Sequence, residues 1–197
     1  GRMPWQLAVQ IIISTAEGMA YAHALTGNDG KPLNLDFETG TLKDWTAEGD
    51  AFKDQPTEGD TVAKRRGDMK SNHQGKFWIG GYEKHLDKPK GTLTSVPFVV
   101  THPWASFLVA GGPDDKQTRV EVIDVAAKKV IFSTAGDESE NLKRVAVDVS
   151  KMVGKEIQVR IVDNSAAGWG HINFDDFRFH SEKPAVPERA APPADPY

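Results

Sequence analysis

Cysteine is absent from the 197 residues. That excludes a disulfide scaffold, thiolate-bound zinc, iron–sulfur ligation, c-type haem attachment and a cysteine nucleophile within this chain. Charge of one sign is also lacking. The 24 Lys and Arg stand against 28 Asp and Glu, a net charge of −4, which leaves no broad basic footprint for nucleic acid. The apolar stretch 7–24 is too short to span a membrane and is interrupted by Gln10, Ser14, Thr15 and Glu17. The six histidines are scattered, with no His-Glu-x-x-His, nucleophile elbow or phosphate loop among them. What is present is the composition of an ordinary soluble domain, 39% hydrophobic and 26% charged.

The two ends differ from the middle. Residues 1–30 allow two readings, an amphipathic helix with Leu7, Ile11 and Gly18 at helical spacing, or an imperfect export signal with Ala22-His23-Ala24 as its small-x-small site. From 182 to 197, Pro184, Pro187, Pro192, Pro193 and Pro196 lie among Ala, Glu, Arg and Asp, the composition of a disordered linker or tail. The folded unit expected from this is 31–181.

Within it, apolar residues recur at period two. Leu33, Leu35 and Phe37 form one such series; Val120 and Val122, then Val145, Val147 and Val149, then Ile157, Val159 and Ile161 form others. Ile172 and Phe174 with Phe177 and Phe179 close the pattern. The runs are bounded by Gly, Pro, Asp and Asn, as antiparallel strands require. Residues 124–129 read as a hairpin connection, 111–115 as a turn, and 148–155 as a single helical turn between strands. The expected fold is all-β, an antiparallel two-sheet jelly-roll sandwich.

Three pieces go further. Leu35-Asp36-Phe37-Glu38 with Gly40 and Trp45 is one. Gly91 to Phe98 followed by Ser106 to Gly112 is the second. Arg160-Ile161-Val162-Asp163 followed by Gly168-Trp169-Gly170-His171-Ile172-Asn173-Phe174-Asp175-Asp176-Phe177 is the third. In this order they resemble the galactose-binding-like β-sandwich module attached to bacterial sucrose- and fructan-cleaving glycosidases. They resemble still more the form of it in planctomycete multidomain proteins that carry cytochrome-like domains. The resemblance covers about 33–180, and Ala166-Ala167 departs from it where relatives carry glycine or small polar residues. It implies a non-catalytic, extracytoplasmic carbohydrate-binding module, with any haem held by other domains and none by this chain. In sandwiches of this kind a structural Ca2+ sits where the first and last strands meet, which would enlist Asp36, Glu38, Asp175 and Asp176. The alternative is that these carboxylates merely solvate strand edges.

The residues themselves offer two ligand sites. Glycines around Trp169 let a loop present the indole as a stacking surface for a sugar, with His171 and Asn173 bonding its hydroxyls. Otherwise Trp169 simply packs over the end of the sandwich. The segment 64–78 is basic in an acidic chain, and Arg66, His73 and Trp78 could receive an anionic sugar or a partner's acidic surface. A solvated loop is the plainer reading. Catalysis is the weakest reading: Asp175-Asp176 and Glu138/Glu140 could be paired as carboxylates for glycoside hydrolysis, but Asp175 and Asp176, as neighbours on a strand, should face opposite sides and cannot act on one sugar. Glycan binding is therefore expected, against an alternative in which the domain docks onto other domains or subunits of its parent. No nucleic acid, membrane span or enzyme activity is expected.

Overall fold

The computed structural model describes residues 25–27 and 30–186. The N-terminal helix or signal, and all of the proline-rich tail beyond 186, lie outside the described residues. The chain divides into two units, Gly1–Leu33 and Asn34–Tyr197. In the first, a short turn is closed by Leu33 N donating to Leu25 O at 2.7 Å, with Thr26 bridged to Pro32.

The second unit is a sandwich of two antiparallel sheets. Its strands are β1 (Trp45–Gly49), β2 (Thr57–Glu58), β3 (Phe77–Gly80), β4 (Gly91–Ser95), β5 (Phe98–Val99) and β6 (Trp104–Gly111). They continue as β7 (Thr118–Asp124), β8 (Lys129–Thr134), β9 (Ser139–Asp148), β10 (Glu156–Asp163) and β11 (Ile172–His180). Two five-residue helices, α1 (Thr61–Arg65) and α2 (Gly81–His85), flank β3. One sheet runs β1-β4-β10-β7-β8 with β5 beside β10; the other runs β2-β3-β11-β6-β9. From β6 to β11 the chain crosses repeatedly between the sheets, the jelly-roll arrangement that the strand spacing predicts.

Alternation makes the core. Ile157, Val159 and Ile161 on β10 and Val120 and Val122 on β7 are fully buried, and the register sets Val159 opposite Val122 and Ile161 opposite Val120. From the other sheet come Phe107, Phe174 and Phe177, with Phe107 and Phe174 centroids 5.4 Å apart. Each such side chain removed from water contributes about 1.5–3 kcal/mol before entropy is counted. The connections also follow expectation. A turn at 125–128 joins the paired strands β7 and β8, residues 112–117 link β6 to β7, and a 3-10 turn, Ser150–Met152, links β9 to β10.

Two expectations fail. The run 33–37 is not a strand: no strand precedes Trp45 in this unit. Asn34 instead organises a loop, its Nδ2 donating to Thr41 O at 2.8 Å and Lys43 O at 3.2 Å while its Oδ1 accepts from Thr39 N at 3.1 Å. A side chain that satisfies the backbone in this way replaces a ladder. Asp36 and Glu38 therefore do not share a strand face. The second failure concerns Asp175 and Asp176. A bulge between Asp175 and Arg178, with Asp176 at φ 55°, breaks the alternation and puts both carboxylates on the outer side of the sheet. Asp175 is register partner of Leu108, as is Arg144, and Arg144 binds the Asp176 carboxylate.

That outer side of the second sheet is covered by residues 59–76. Val62, Trp78, Leu108, Ala110 and Leu142 form a small buried cluster there, with Met69 packed against it. Backbone pairing of Leu142 N with Ser71 O, 3.0 Å, and donation from Gln74 N to Asp175 Oδ2, 2.8 Å, hold the cover down. At one end of this covered face the apolar cluster gives way to polar residues.

Candidate functional site

Asn173 on β11 and Glu140 on β9 project from the same outer face, and Asn173 Nδ2 donates to Glu140 Oε2 at 2.9 Å. Asn173 Oδ1 accepts from Gly81 N at 2.9 Å, tying in the start of α2. The same Glu140 oxygen lies 3.3 Å from His171 Nε2, while His171 Nδ1 is 2.6 Å from Asp87 Oδ1. Carboxylates only accept, so a ring bonded to one through each nitrogen needs both N–H groups, which is the imidazolium. Burial pulls the His171 pKa down, but Glu140 and Asp87 together outweigh it and hold it above the ordinary value. Burial likewise pushes Glu140 up, and His171, Arg65 and Asn173 more than reverse this, to about 2.

Arg65, in the last turn of α1, completes the network. One terminal nitrogen donates to Glu140 Oε1 at 2.7 Å and to Glu83 Oε1 at 2.6 Å. Its guanidinium lies 4.3 Å from the Tyr82 ring centroid, and Tyr82 in turn lies 5.3 Å from the His171 ring. Trp169 stacks beside His171, centroids 5.7 Å apart at 29°, and the Arg66 guanidinium lies over the indole at 5.8 Å. Arg66 is held in place by Asp68, with bonds of 3.1 and 2.9 Å.

The arrangement has a floor and a rim. His171, Asn173 and Glu140 are nearly inaccessible and form the floor. Asp87, Arg65 and Arg66 keep part of their side chains in solvent, and Trp169 and Tyr82 are half-buried. Asp163 at the end of β10 feels the charges of His171 and Asp87; it is buried with Oδ1 unpartnered, and burial raises its pKa to about 7. The site combines an indole face with hydroxyl-binding donors and acceptors, which suits a polyhydroxylated ligand.

The sequence-predicted residues therefore divide. Trp169, His171, Asn173 and Arg66 come together. Trp78 does not join them: it is fully buried in the small cluster, and its Nε1 donates to Gly59 O at 3.0 Å. His73 stacks on Trp78 at 5.8 Å and bonds Ser71 Oγ. Arg65 lay in the basic segment 64–78 without being singled out, and Asp87, Tyr82 and Glu83 carried no motif at all. Glu140 stood out only beside Glu138, as a possible pair of hydrolytic carboxylates, and not as a partner of His171 or Asn173.

The four candidate calcium ligands lie near one another, since Asp36 and Asp175 both feel Asp176, and Asp175 feels Glu38. Most of their oxygens are committed. Glu38 caps the backbone N–H groups of Lys76 and Phe77, and Asp176 bonds Arg144 and Arg178. Asp36 Oδ1 accepts from Glu38 N. Asp175 Oδ1 is the orphan: it is buried without a partner, and burial pushes that carboxyl up to about 8. Among the described residues no group of three or more His, Asp or Glu is placed to hold a metal ion.

No family model matches the sequence. A curated protein of Aspergillus rugulosus, "Putative glycosyl hydrolase ecdE", is 31% identical over 159 residues, covering 79% of this chain. The chain spans only 22% of that protein's length. Among solved structures, similarity is found to TmCBM61 in complex with β-1,4-galactotriose, at 22% identity over 74% of this chain and 93% of that one, TM-score 0.45. The C-terminal extracellular domain of Mycobacterium tuberculosis EmbC matches at 15% identity over 85% of this chain and 63% of its own, TM-score 0.45. The K1 cleaved adhesin domain of Lys-gingipain from Porphyromonas gingivalis matches at 12% identity over 75% and 96%, TM-score 0.42.

Proposed function

We propose that this domain is a non-catalytic glycan-binding module of a larger extracytoplasmic protein. One observation carries the reading: Trp169 and Arg66, from segments about a hundred residues apart, meet over a polar floor made by His171, Asn173 and Glu140. The sugar lies on the rim, with its apolar face toward the indole and its hydroxyls toward Asp87, Arg65 and Arg66. His171 and Asn173 act from beneath, as positioning residues. The glycosyl hydrolase relative supports this, because a segment that spans 22% of such a protein has the proportion of an attached module. Kinship to the fructanase-attached and planctomycete modules belongs to the same proposal, as does the span 31–181 for the module.

The test is affinity electrophoresis through native gels containing soluble levan, inulin or β-1,4-galactan, beside a reducing-end assay on the same polysaccharides. Retardation by at least one, lost in Trp169→Ala, and no release of reducing ends are expected. Hydrolysis by the isolated chain would overturn the non-catalytic part.

A docking role for the domain has one observation in its favour. Trp78 is fully buried, so only one of the two candidate indoles is left to meet a ligand. A stable complex with a neighbouring domain of the parent, with no retardation in any gel, would establish that reading instead. Calcium is a further proposal, resting on Asp175 Oδ1 as the entering ligand. A calcium-dependent rise in Tm that disappears in Asp175→Asn would carry it, and an unchanged Tm in calcium and in chelator would end it.

A further inference from the structure

At the start of β6, Ala105, Phe107 and Val109 are fully buried in the core, so alternation turns Trp104 and Ser106 to the outer side of the second sheet. The 59–76 cover packs on Leu108 and Ala110, further along the strand, and Trp104 is half-buried. Register sets His180 of β11 and Asp148 of β9 on either side of Trp104, with Arg178 and Ala146 beside Ser106 in the next row. The row neighbours of this indole are thus a histidine and an aspartate. Trp45 and Trp78, by contrast, are buried against Phe37 and against the Val62–Leu142 cluster.

A polar network fixes the surroundings of the ring. Ser106 Oγ accepts from Arg144 at 3.0 Å and lies 2.7 Å from His180 Nε2. The Asp176 carboxylate binds both Arg144 and Arg178. Arg178 reaches it through Nε at 2.7 Å, which leaves the terminal nitrogens of a side chain that is 57% exposed for another partner. Lys183 Nζ lies 5.5 Å from the Trp104 ring centroid and brings a third cation. Asp148, on the other side, accepts from Ser150 N at 2.9 Å and feels Lys151. The β11 side of the indole is therefore electropositive. His180 registers this: burial holds its pKa below the ordinary value, and Arg144, Arg178 and His102 push the same way against Asp176 alone.

We propose that the Trp104 face is a second glycan site, separate from the one at Trp169, and that it takes an acidic sugar, a hexuronate within a polysaccharide. The sugar ring packs its C–H face on the indole, and its carboxylate meets the terminal nitrogens of Arg178 in a forked pair. Trp104 and Arg178 are diagonal cross-strand neighbours, which stand about 7–8 Å apart, a separation that one pyranose with its carboxylate bridges. A neutral sugar would use the indole but not the guanidinium, and a lone carboxylate the guanidinium but not the indole; a hexuronate uses both. The two sites lie at opposite ends of β6, since His171 pairs with Gly112 just past its last residue, roughly 20 Å from Trp104 at the rise of a strand. They share no residue, so this inference does not depend on the Trp169 site.

The experiment runs the full chain through native gels containing polygalacturonate, alginate or neutral β-1,4-galactan, with dextran sulfate as a polyanion that lacks uronate. Wild type, Trp104→Ala, Arg178→Gln and Trp169→Ala are compared, and Tm is measured for each. Retardation of the wild type by polygalacturonate or alginate is expected, weakened about tenfold in Trp104→Ala and in Arg178→Gln and unchanged in Trp169→Ala. Arg178→Gln should leave Tm nearly unchanged, because the side chain is exposed and Arg144 still holds Asp176, so it carries the test if Trp104→Ala unfolds. Retardation lost in Trp169→Ala but kept in the other two variants would assign the acidic polymer to the first site and overturn the second. Equal retardation by dextran sulfate, insensitive to Trp104→Ala, would make the face a general anion patch and overturn the sugar. No retardation of the wild type by either uronate polymer overturns the proposal, whatever happens in galactan, which reports on the Trp169 site alone.

Discussion

Asp87 Oδ1 lies 2.6 Å from His171 Nδ1, a bond that joins the loop behind α2 to the foot of β11 across 84 residues of sequence. It fixes the imidazole from one nitrogen while Glu140 holds the other. Replacing Asp87 by Asn removes one of two charges that keep the ring protonated. The pKa of His171 should fall, which is measurable from its ring proton shifts in an NMR titration. Asp87 is partly exposed, so screening keeps the stability loss to about 1–2 kcal/mol, or roughly 3–6 °C in Tm for a domain of this size. An unmoved His171 titration would show that Asp87 does not sustain the charge.

Four groups in and around the site set one part of the pH dependence of stability; His73 and His180, whose pKa values burial lowers, add an opposing loss as pH falls below the ordinary histidine value. His171 has its pKa raised, so its contribution is complete below its unfolded value and is lost as pH rises through the folded one. Asp163 and Asp175, raised to about 7 and about 8, have the same sign: folding favours their protonated forms, and stability falls as they ionise. Glu140, held down to about 2, works oppositely and loses its contribution only in strong acid. Tm should therefore be greatest on the acid side of neutrality and decline toward pH 9. Asp175→Asn keeps an oxygen for Gln74 N while removing the ionisation, so thermal scans of that variant should show a shallower decline. An equal decline in both proteins would contradict the burial of an ionising Asp175.

Much of the fold was legible because period two is a local signal. Val120, Val122, Ile157, Val159 and Ile161 announce two core strands by themselves, and the register merely joins them. The opening run, Leu33 to Phe37, gave the same signal falsely. Leu35 and Phe37 are buried as alternation requires, but Asn34 supplies hydrogen bonds that no hydrophobic pattern encodes. The bulge at Asp176 left a trace, in the three-residue step from Phe174 to Phe177 where alternation demands two. Trp169 and His171 stood out through their flanking glycines. Asp87 did not, and Glu140 did so only beside Glu138, since a buried ion pair is made by residues distant in sequence and each is an ordinary acid when read alone.

Gly112 is the point where the β6 end meets the Trp169 loop. Its amide donates to His171 O at 2.8 Å, and a Cβ placed on it would stand 1.9 Å from Trp169 O and 3.0 Å from Thr118 Oγ1. The nearest of these atoms is backbone, so no rotamer change relieves the clash; the loop carrying Trp169 must move. Gly112→Ala is expected to cost about 1–3 kcal/mol by overpacking. It should also shift the tryptophan fluorescence, because the indole leaves its stack on His171, and glycan retardation should fall with it. Retained fluorescence and retardation would mean that the loop absorbs a methyl group without displacing the ring.

Trp78 separates the fold from the site. The basic loop followed by an aromatic strand made it a candidate for contact with a ligand, yet its ring lies among Val62, Leu108, Ala110 and Leu142 under the 59–76 cover. Its indole nitrogen holds Gly59 O at 3.0 Å, and His73 stacks on its face. Trp78→Phe keeps most of the apolar contact and loses that bond, at a cost of about 1 kcal/mol, with some addition for the smaller ring. Tm should fall by roughly 2–6 °C on that account. Retardation by levan, inulin or galactan should stay at the wild-type level, because Arg65 and Arg66 remain anchored by Glu140, Glu83 and Asp68. A loss of retardation as complete as that of Trp169→Ala, with Tm unchanged, would place Trp78 in contact with the glycan rather than in the buried cluster.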